Sequence, residues 1–135
     1  MGRSLLILVD THIVVWMAFE ESRLSKKATA AITEARLKGQ GLAISDISLF
    51  ELARALSRER THLNISVESV LAEVELRFVV LPINSRISLR AFGLPRTYPK
   101  DPADRIIGAT ALVENMPLVT ADRGIQDSGL VHTIW

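Results

Sequence analysis

The sequence predicts an α/β fold: a central parallel sheet with helices packed on both faces. Three observations carry this. Short aliphatic runs recur along the chain without polar alternation, as in strands buried on both faces. Helix-length stretches with apolar residues three and four apart separate them. Aromatics make up only 5% against 48% hydrophobic residues, so the core must be Leu, Ile, Val and Ala. Such a core suits strands covered by helices better than an aromatic-rich β-sandwich. The length of 135 residues fits one domain, and no repeat, low-complexity tract or composition shift marks a second.

The first run, Leu5 to Val9, closes on Asp10. A strand that passes straight into a helix places Asp10 at the strand's carboxyl end, the edge where parallel sheets bind ligands. Asp10 could equally be the N-cap of the next helix, and both readings stand. Thr11 to Glu20 reads as that helix, with Ile13, Trp16 and Met17 on one side. His12 is expected to hydrogen-bond locally rather than to ligate a metal, since no second His lies at motif spacing.

Ser25 to Lys38 reads as an amphipathic helix with Ser25 as N-cap, Ala28, Ala31, Ile32, Ala35 and Leu37 as its apolar side, and Gly39 as its stop. Its charges, Lys26, Lys27, Glu34, Arg36 and Lys38, form a solvated face, with an RNA contact by the lysines as the weaker alternative. Leu42 to Ser45 is the second strand. Ile47 to Arg60 follows as a helix that is apolar nearly all round and therefore expected to be buried. Glu51 then lies in apolar company, where a carboxylate without a task is costly; an ion pair with Arg54 or a solvent-facing notch would also explain it. Arg54, Arg58, Glu59, Arg60 and His62 form the most basic stretch, a solvated face or a phosphate contact.

Ser66 to Arg77 is a helix capped by Ser66, with Glu68, Glu73 and Glu75 outward. Phe78 to Ile83 is the third strand, closed by Pro82. Ser85 to Phe92 is a short helix before the loop from Gly93 to Pro99. Asp101-Pro102-Ala103-Asp104 then opens a helix running to about Asn115, with Asp101 as N-cap, Pro102 at the first position and Asp104 at the third. Both acids could serve only that helix start. Asp101 should be occupied by backbone N–H groups, whereas Asp104 reaches back poorly and is freer to point at a metal. Gly108 is expected to let this helix lie close on the sheet. Pro117 to Thr120 is the fourth strand, with Asp122 just past its end, repeating the opening arrangement. Arg123 to Asp127 is a helical turn and Val131 to Trp135 a last strand.

Asp10, Glu51, Asp104 and Asp122 should converge where the strands end. Four carboxylates together repel one another without a cation. Oxygen-only donors favour Mg²⁺ or Mn²⁺, ions that activate water and steady phosphoryl displacement. The net charge of +1 supplies no global pull on nucleic acid, and the absence of cysteine excludes disulfides, thiol catalysis and thiolate metal sites. The first apolar run is too short for a leader or a membrane span, so a cytoplasmic protein is expected.

Four stretches, Leu8-Val9-Asp10-Thr11-His12, Ser48-Leu49-Phe50-Glu51-Leu52, Asp101 to Ile107, and Leu118-Val119-Thr120-Ala121-Asp122, resemble a PIN-domain ribonuclease, and more closely a VapC-type toxin of a toxin–antitoxin pair. The resemblance spans nearly the whole chain. It implies a three-layer α/β/α fold with strand order 3-2-1-4-5, a single PIN domain over residues 1–135, and hydrolysis of RNA with Mg²⁺ or Mn²⁺ held by Asp10, Glu51, Asp104 and Asp122. Thr11 and Thr120 match positions that assist the site, and Asp101 a less central acid. Arg105 is expected to contact phosphate or to form a surface ion pair. A homodimer and a VapB-like antitoxin whose tail covers the cleft are also implied. Two other readings compete. A phosphatase of the haloacid-dehalogenase type wants a second acid two residues after Asp10, where His12 stands. A non-catalytic RNA- or partner-binding module would use the acids only for fold and charge.

Overall fold

The structure is a computed structural model and describes residues 6–59 and 65–135. Among these, five parallel strands form one sheet in the order β3-β2-β1-β4-β5. They are β1 (Ile7–Val9), β2 (Leu42–Ser45), β3 (Val79–Leu81), β4 (Leu118–Val119) and β5 (Thr133–Ile134). The helices are α1 (Thr11–Phe19), α2 (Lys26–Leu37), α3 (Ile47–Glu59), α4 (Val67–Arg77), α5 (Ser85–Phe92), α6 (Pro102–Glu114) and α7 (Arg123–Ser128), with a 3-10 turn at Glu21–Arg23. The central strand β1 sets Leu8 opposite both Ala43 of β2 and Leu118 of β4.

Side chains alternate across each strand, and here both faces are apolar. Val9, Ile44 and Val119 point into one core with Ile13, Val14, Ile32 and Leu56. Leu8, Ala43 and Leu118 point into the other with Tyr98, Ile107 and Ile125. The aliphatic runs of β1, β2 and β4 are continuous because neither of their faces is open to water, whereas Val79 on the edge strand β3 is exposed. This is the three-layer α/β/α arrangement with strand order 3-2-1-4-5. No helix among the described residues is long and apolar enough to cross a membrane.

Helix starts fall where the sequence puts them. Ser25 accepts from Ala28 N, Ser66 from Ser69 N and Asp101 from Asp104 N. Several extents differ. The third strand is shorter than Phe78 to Ile83, because Phe78 closes α4 and is buried while Ile83 lies beyond the ladder. The fourth and fifth strands shrink to two residues each. Leu37 is 83% exposed, outside the apolar side expected of α2. Helix α3 is not buried all round: Ser48, Leu52 and Leu56 face inward while Phe50 is 60% exposed. Its apolar residues exceed the face that the core can cover. The start of the first strand at Leu5, and Arg60 and His62 of the basic stretch, lie outside the described residues. Arg54 and Arg58 are exposed.

Candidate active site

Asp10 follows β1 and is almost fully buried. Both readings of it hold. It is the N-cap of α1, with Thr11 N donating to Oδ1 at 2.9 Å. Its other oxygen, Oδ2, accepts from Thr120 Oγ1 at 2.7 Å. Thr120 is itself fully buried at the end of β4, and its oxygen accepts from Asp122 N at 3.0 Å. Residues 110 positions apart in sequence thus meet because β1 and β4 are parallel neighbours. Burial pushes the Asp10 carboxyl above its ordinary value; the nearby His12 and the Thr120 and Thr11 donors oppose that, and Asp122 adds to it.

His12 accepts from Ala121 N through Nε2 at 3.0 Å. That nitrogen's lone pair is spent, so Nδ1 carries the proton and faces Asp10 Oδ2 at 3.7 Å. His12 does hydrogen-bond, but its partner is not local: it lies on the loop after β4. Its ring also packs on Trp16, which contacts Trp135.

Glu51 is half-buried on the inner side of α3. Thr11 Oγ1 donates to its Oε1 at 2.6 Å, and Ser48 Oγ lies 2.8 Å from the same hydroxyl. A hydroxyl has one proton. With that proton directed at Glu51 Oε1, the Ser48 hydroxyl is the donor to Thr11 Oγ1. Burial raises the Glu51 pKa, the Thr11 hydrogen bond lowers it, and the Asp10 and Asp101 charges raise it further. The alternative explanation, an ion pair to Arg54, is not formed among the described residues; Arg54 acts only as a nearby positive charge. Ser48 is a site residue that sequence reasoning missed. Its signal was a hydroxyl three positions before Glu51, hence on the same face of α3.

Asp101 and Asp104 part company as their positions suggest. Asp101 Oδ1 accepts from Asp104 N at 3.0 Å and caps α6. The Asp104 carboxylate has no hydrogen-bond partner among the described residues, while its backbone oxygen accepts from the Tyr98 hydroxyl at 2.7 Å. Burial, then the charges of Asp10, Asp101, Asp122 and Glu51, push the Asp104 carboxyl up to about 7. Tyr98, fully buried, crosses α6 at Gly108, where a Cβ would stand 2.1 Å from its hydroxyl oxygen. Gly108 therefore makes room for Tyr98, not for the sheet. The buried ring and the nearby acids push the Tyr98 hydroxyl far above its ordinary value.

Asp122 caps α7, with Ile125 N donating to Oδ1 at 2.9 Å. Arg105 forms no ion pair among the described residues. Its guanidinium donates to the backbone oxygens of Ala91 at 3.1 Å, Pro99 at 3.3 Å and Leu94. It holds the chain before α6 in place, its planar fork of N–H donors joining the end of α5 to the loop after it.

The fold brings Asp10, Glu51, Asp104 and Asp122 within one another's electrostatic reach. Yet among the described residues no three Asp, Glu or His side chains stand close enough to share one metal ion. The donor set still fits a hard divalent cation. It is all oxygen, Asp104 is unpartnered, and Mg²⁺ takes one or two carboxylates while keeping several waters.

A family model described as PIN domain matches residues 7–129 of the chain. Ribonuclease VapC22 from Mycobacterium tuberculosis (strain ATCC 25618 / H37Rv) is 38% identical over 120 residues, covering 89% of this chain and 89% of that protein. Among solved structures, VapBC2 from Rickettsia felis, bound to a DNA fragment from its promoter, superposes with a TM-score of 0.69 at 17% identity over 95% of this chain and 96% of the other. A toxin–antitoxin complex from Klebsiella pneumoniae gives 0.60 at 22% identity over 88% and 94%. At such identities the solved structures speak for the fold alone.

Proposed function

Since the chain belongs to the PIN-domain family, we propose that it is a VapC-type endoribonuclease, the toxin of a toxin–antitoxin pair, and that residues 1–135 form a single PIN domain. One observation carries this reading. Acids from distant segments meet at Asp104: burial first, then the charges of Asp10, Asp101, Asp122 and Glu51, hold it near 7, and no hydrogen-bond donor among the described residues reaches its carboxylate. A structural carboxylate is placed beside donors; this one is placed beside other carboxylates.

We assign Asp10 and Asp104 as the main metal ligands, Glu51 as a ligand or water-orienting base, and Asp122 as an outer or second-metal ligand. When bound, Mg²⁺ or Mn²⁺ supplies a Lewis acid that makes water nucleophilic and steadies charge on the phosphodiester. The chain's own residues do the rest. Thr120 and Thr11 N fix the two oxygens of Asp10. Thr11, oriented by Ser48, fixes Glu51, whose carboxyl burial raises above its ordinary value, placing it to orient or deprotonate water. Tyr98 holds the first turn of α6 and so the position of Asp104. Water is the second substrate, and the products are two RNA ends.

The partner assignments belong to the same proposal. The similar structures named above include toxins in complex with antitoxins, which supports a VapB-like partner whose tail covers the carboxylate cleft; a separate, mostly apolar groove lined by Val14, Met17, Phe19, Val70, Val74 and Phe78 is open to another part of such a chain. Leu89 and Phe92, 73% and 89% exposed on α5, present apolar surface of the kind a second copy covers in a homodimer. The lack of a membrane-crossing helix among the described residues agrees with a cytoplasmic protein.

The test is cleavage of total cellular RNA by the purified protein with Mg²⁺, with Mn²⁺ and with chelator, beside Asp104→Asn. Discrete fragments that require the ion and fall by about 10²-fold or more in the variant support the reading. The absence, among the described residues, of a preformed three-ligand cluster favours the alternative, a non-catalytic RNA- or partner-binding module. No cleavage and no divalent-induced rise in melting temperature would establish that alternative.

A further inference from the structure

Charge is distributed unevenly along a chain whose totals nearly cancel, 16 basic residues against 15 acidic. Between Glu75 and Asp101 there is no acidic residue, while Arg77, Arg86, Arg90, Arg96 and Lys100 all fall in that stretch. Arg77 is committed to Glu73, with Nε 2.5 Å from Oε2. The other four are exposed. The ion pairs among the described residues are His12–Asp10, Arg23–Glu20, Lys38–Glu34 and Arg77–Glu73, so none involves these four. Four cations without counter-charges lie in one continuous segment.

That segment is fastened to the carboxylate site. Arg105 grips it through the oxygens of Ala91, Leu94 and Pro99. Tyr98, within it, bonds the backbone of Asp104, and Lys100 adjoins the cap Asp101. The two neighbours Asp104 and Arg105 thus present the carboxylate and hold the basic segment at once. Arg86 and Arg90, four apart on α5, share one stripe about 6 Å apart along the axis, comparable to the step between phosphates of an extended strand.

A site built of carboxylates repels a polyanion, and a net charge of +1 gives no compensating global field. Local cations are needed to hold the strand. We propose that Arg86, Arg90, Arg96 and Lys100 form a track that binds the phosphate backbone of the single-stranded RNA entering the carboxylate site. This rests on the ribonuclease reading above. Each cation that neutralises a phosphate releases condensed counterions, which makes the proposal measurable as a salt dependence.

The experiment replaces all four by Gln in the full chain. In an Asp104→Asn background, binding of a fluorescein-labelled mixed-sequence single-stranded RNA is titrated across salt concentrations. Loss of four contacts should flatten the slope of log affinity against log salt by about 3. In the background with Asp104 intact, the loss should appear in KM, about tenfold, rather than in kcat. The melting temperature, read alongside, should not move, because the four side chains are exposed and unpaired. An unchanged slope in a folded variant overturns the track, whatever the cleavage assay shows; an acidic protein as the true occupant would give that result. Absence of cleavage by the unsubstituted chain would instead strike the ribonuclease reading, while the binding slope still decides the track.

Discussion

On the β1–β4 side of the site, each oxygen of Asp10 has a donor, Thr11 N for one and the Thr120 hydroxyl for the other. On the α6 side, the Asp104 carboxylate has none and faces four other acids. One side is finished by folding; the other is held against repulsion by packing, with Tyr98 lying across α6 and bonding the Asp104 carbonyl. The contrast teaches that two acids with the same proposed task relate to stability in opposite ways. Asp10 is part of what holds β1 to β4. Asp104 is tolerated there, and a cation is what would relieve it.

Three substitutions test that contrast. Thr120→Val keeps the shape and removes the hydroxyl, leaving Asp10 Oδ2 without its donor. The expected loss is about 2 kcal/mol by thermal or urea unfolding, as for a hydrogen bond to a charged group. A negligible change would mean that the β1–β4 side is not sealed by this bond. Gly108→Ala strikes the other side, driving a methyl into the Tyr98 hydroxyl. Overpacking of about 1–3 kcal/mol, set against about 1 kcal/mol of gained helix propensity, leaves a net loss of about 1 kcal/mol. RNA cleavage should fall with it, as Tyr98 leaves the Asp104 carbonyl; unaltered cleavage would show that Tyr98 does not position Asp104.

The third effect has the opposite sign. Asp104 is held near 7 in the folded chain against an ordinary 3.8, so the folded state keeps its proton more tightly than the unfolded state does. The stability present below about pH 4 is therefore lost as pH rises to about 7. Asp104→Asn should match the unsubstituted protein at pH 4 and melt higher at pH 8. Added Mn²⁺ should raise the melting temperature of the unsubstituted protein at pH 8 and leave that of the variant nearly unmoved. If the variant melts lower at pH 8, Asp104 is a structural acid like Asp10.

Much of the fold could be read from residue patterns. Aliphatic runs without alternation meant strands covered on both faces, and Ser25, Ser66 and Asp101 marked helix starts because a cap is a local event. Burial was read less well. Phe50 and Leu37 are apolar and exposed, since periodicity tells which residues could face a core but not how wide the neighbouring surface is. Within the site, the acids themselves stood out by type and position. Their supports did not. The Thr120–Asp10 bond, the Ala121–His12 bond and the Thr11–Glu51 bond each join residues far apart in the chain. Gly108 and Tyr98 are a lock made from a loop and the helix after it, and neither residue alone implies the other. Arg105 beside a key acid left a phosphate contact and a surface ion pair open, and no local pattern pointed to the carbonyls of Ala91, Leu94 and Pro99 that it holds.

Arg105 has a last consequence. It grips the segment before α6 only through backbone oxygens, and every amino acid supplies one of those. The clamp is blind to side-chain identity. Positions 86, 90, 96 and 100 can therefore exchange residues without loosening the loop or disturbing the carboxylates behind it. Selection acting on which molecules are recognised then meets little resistance from selection acting on folding, and the outer surface can drift while the chemistry stays put.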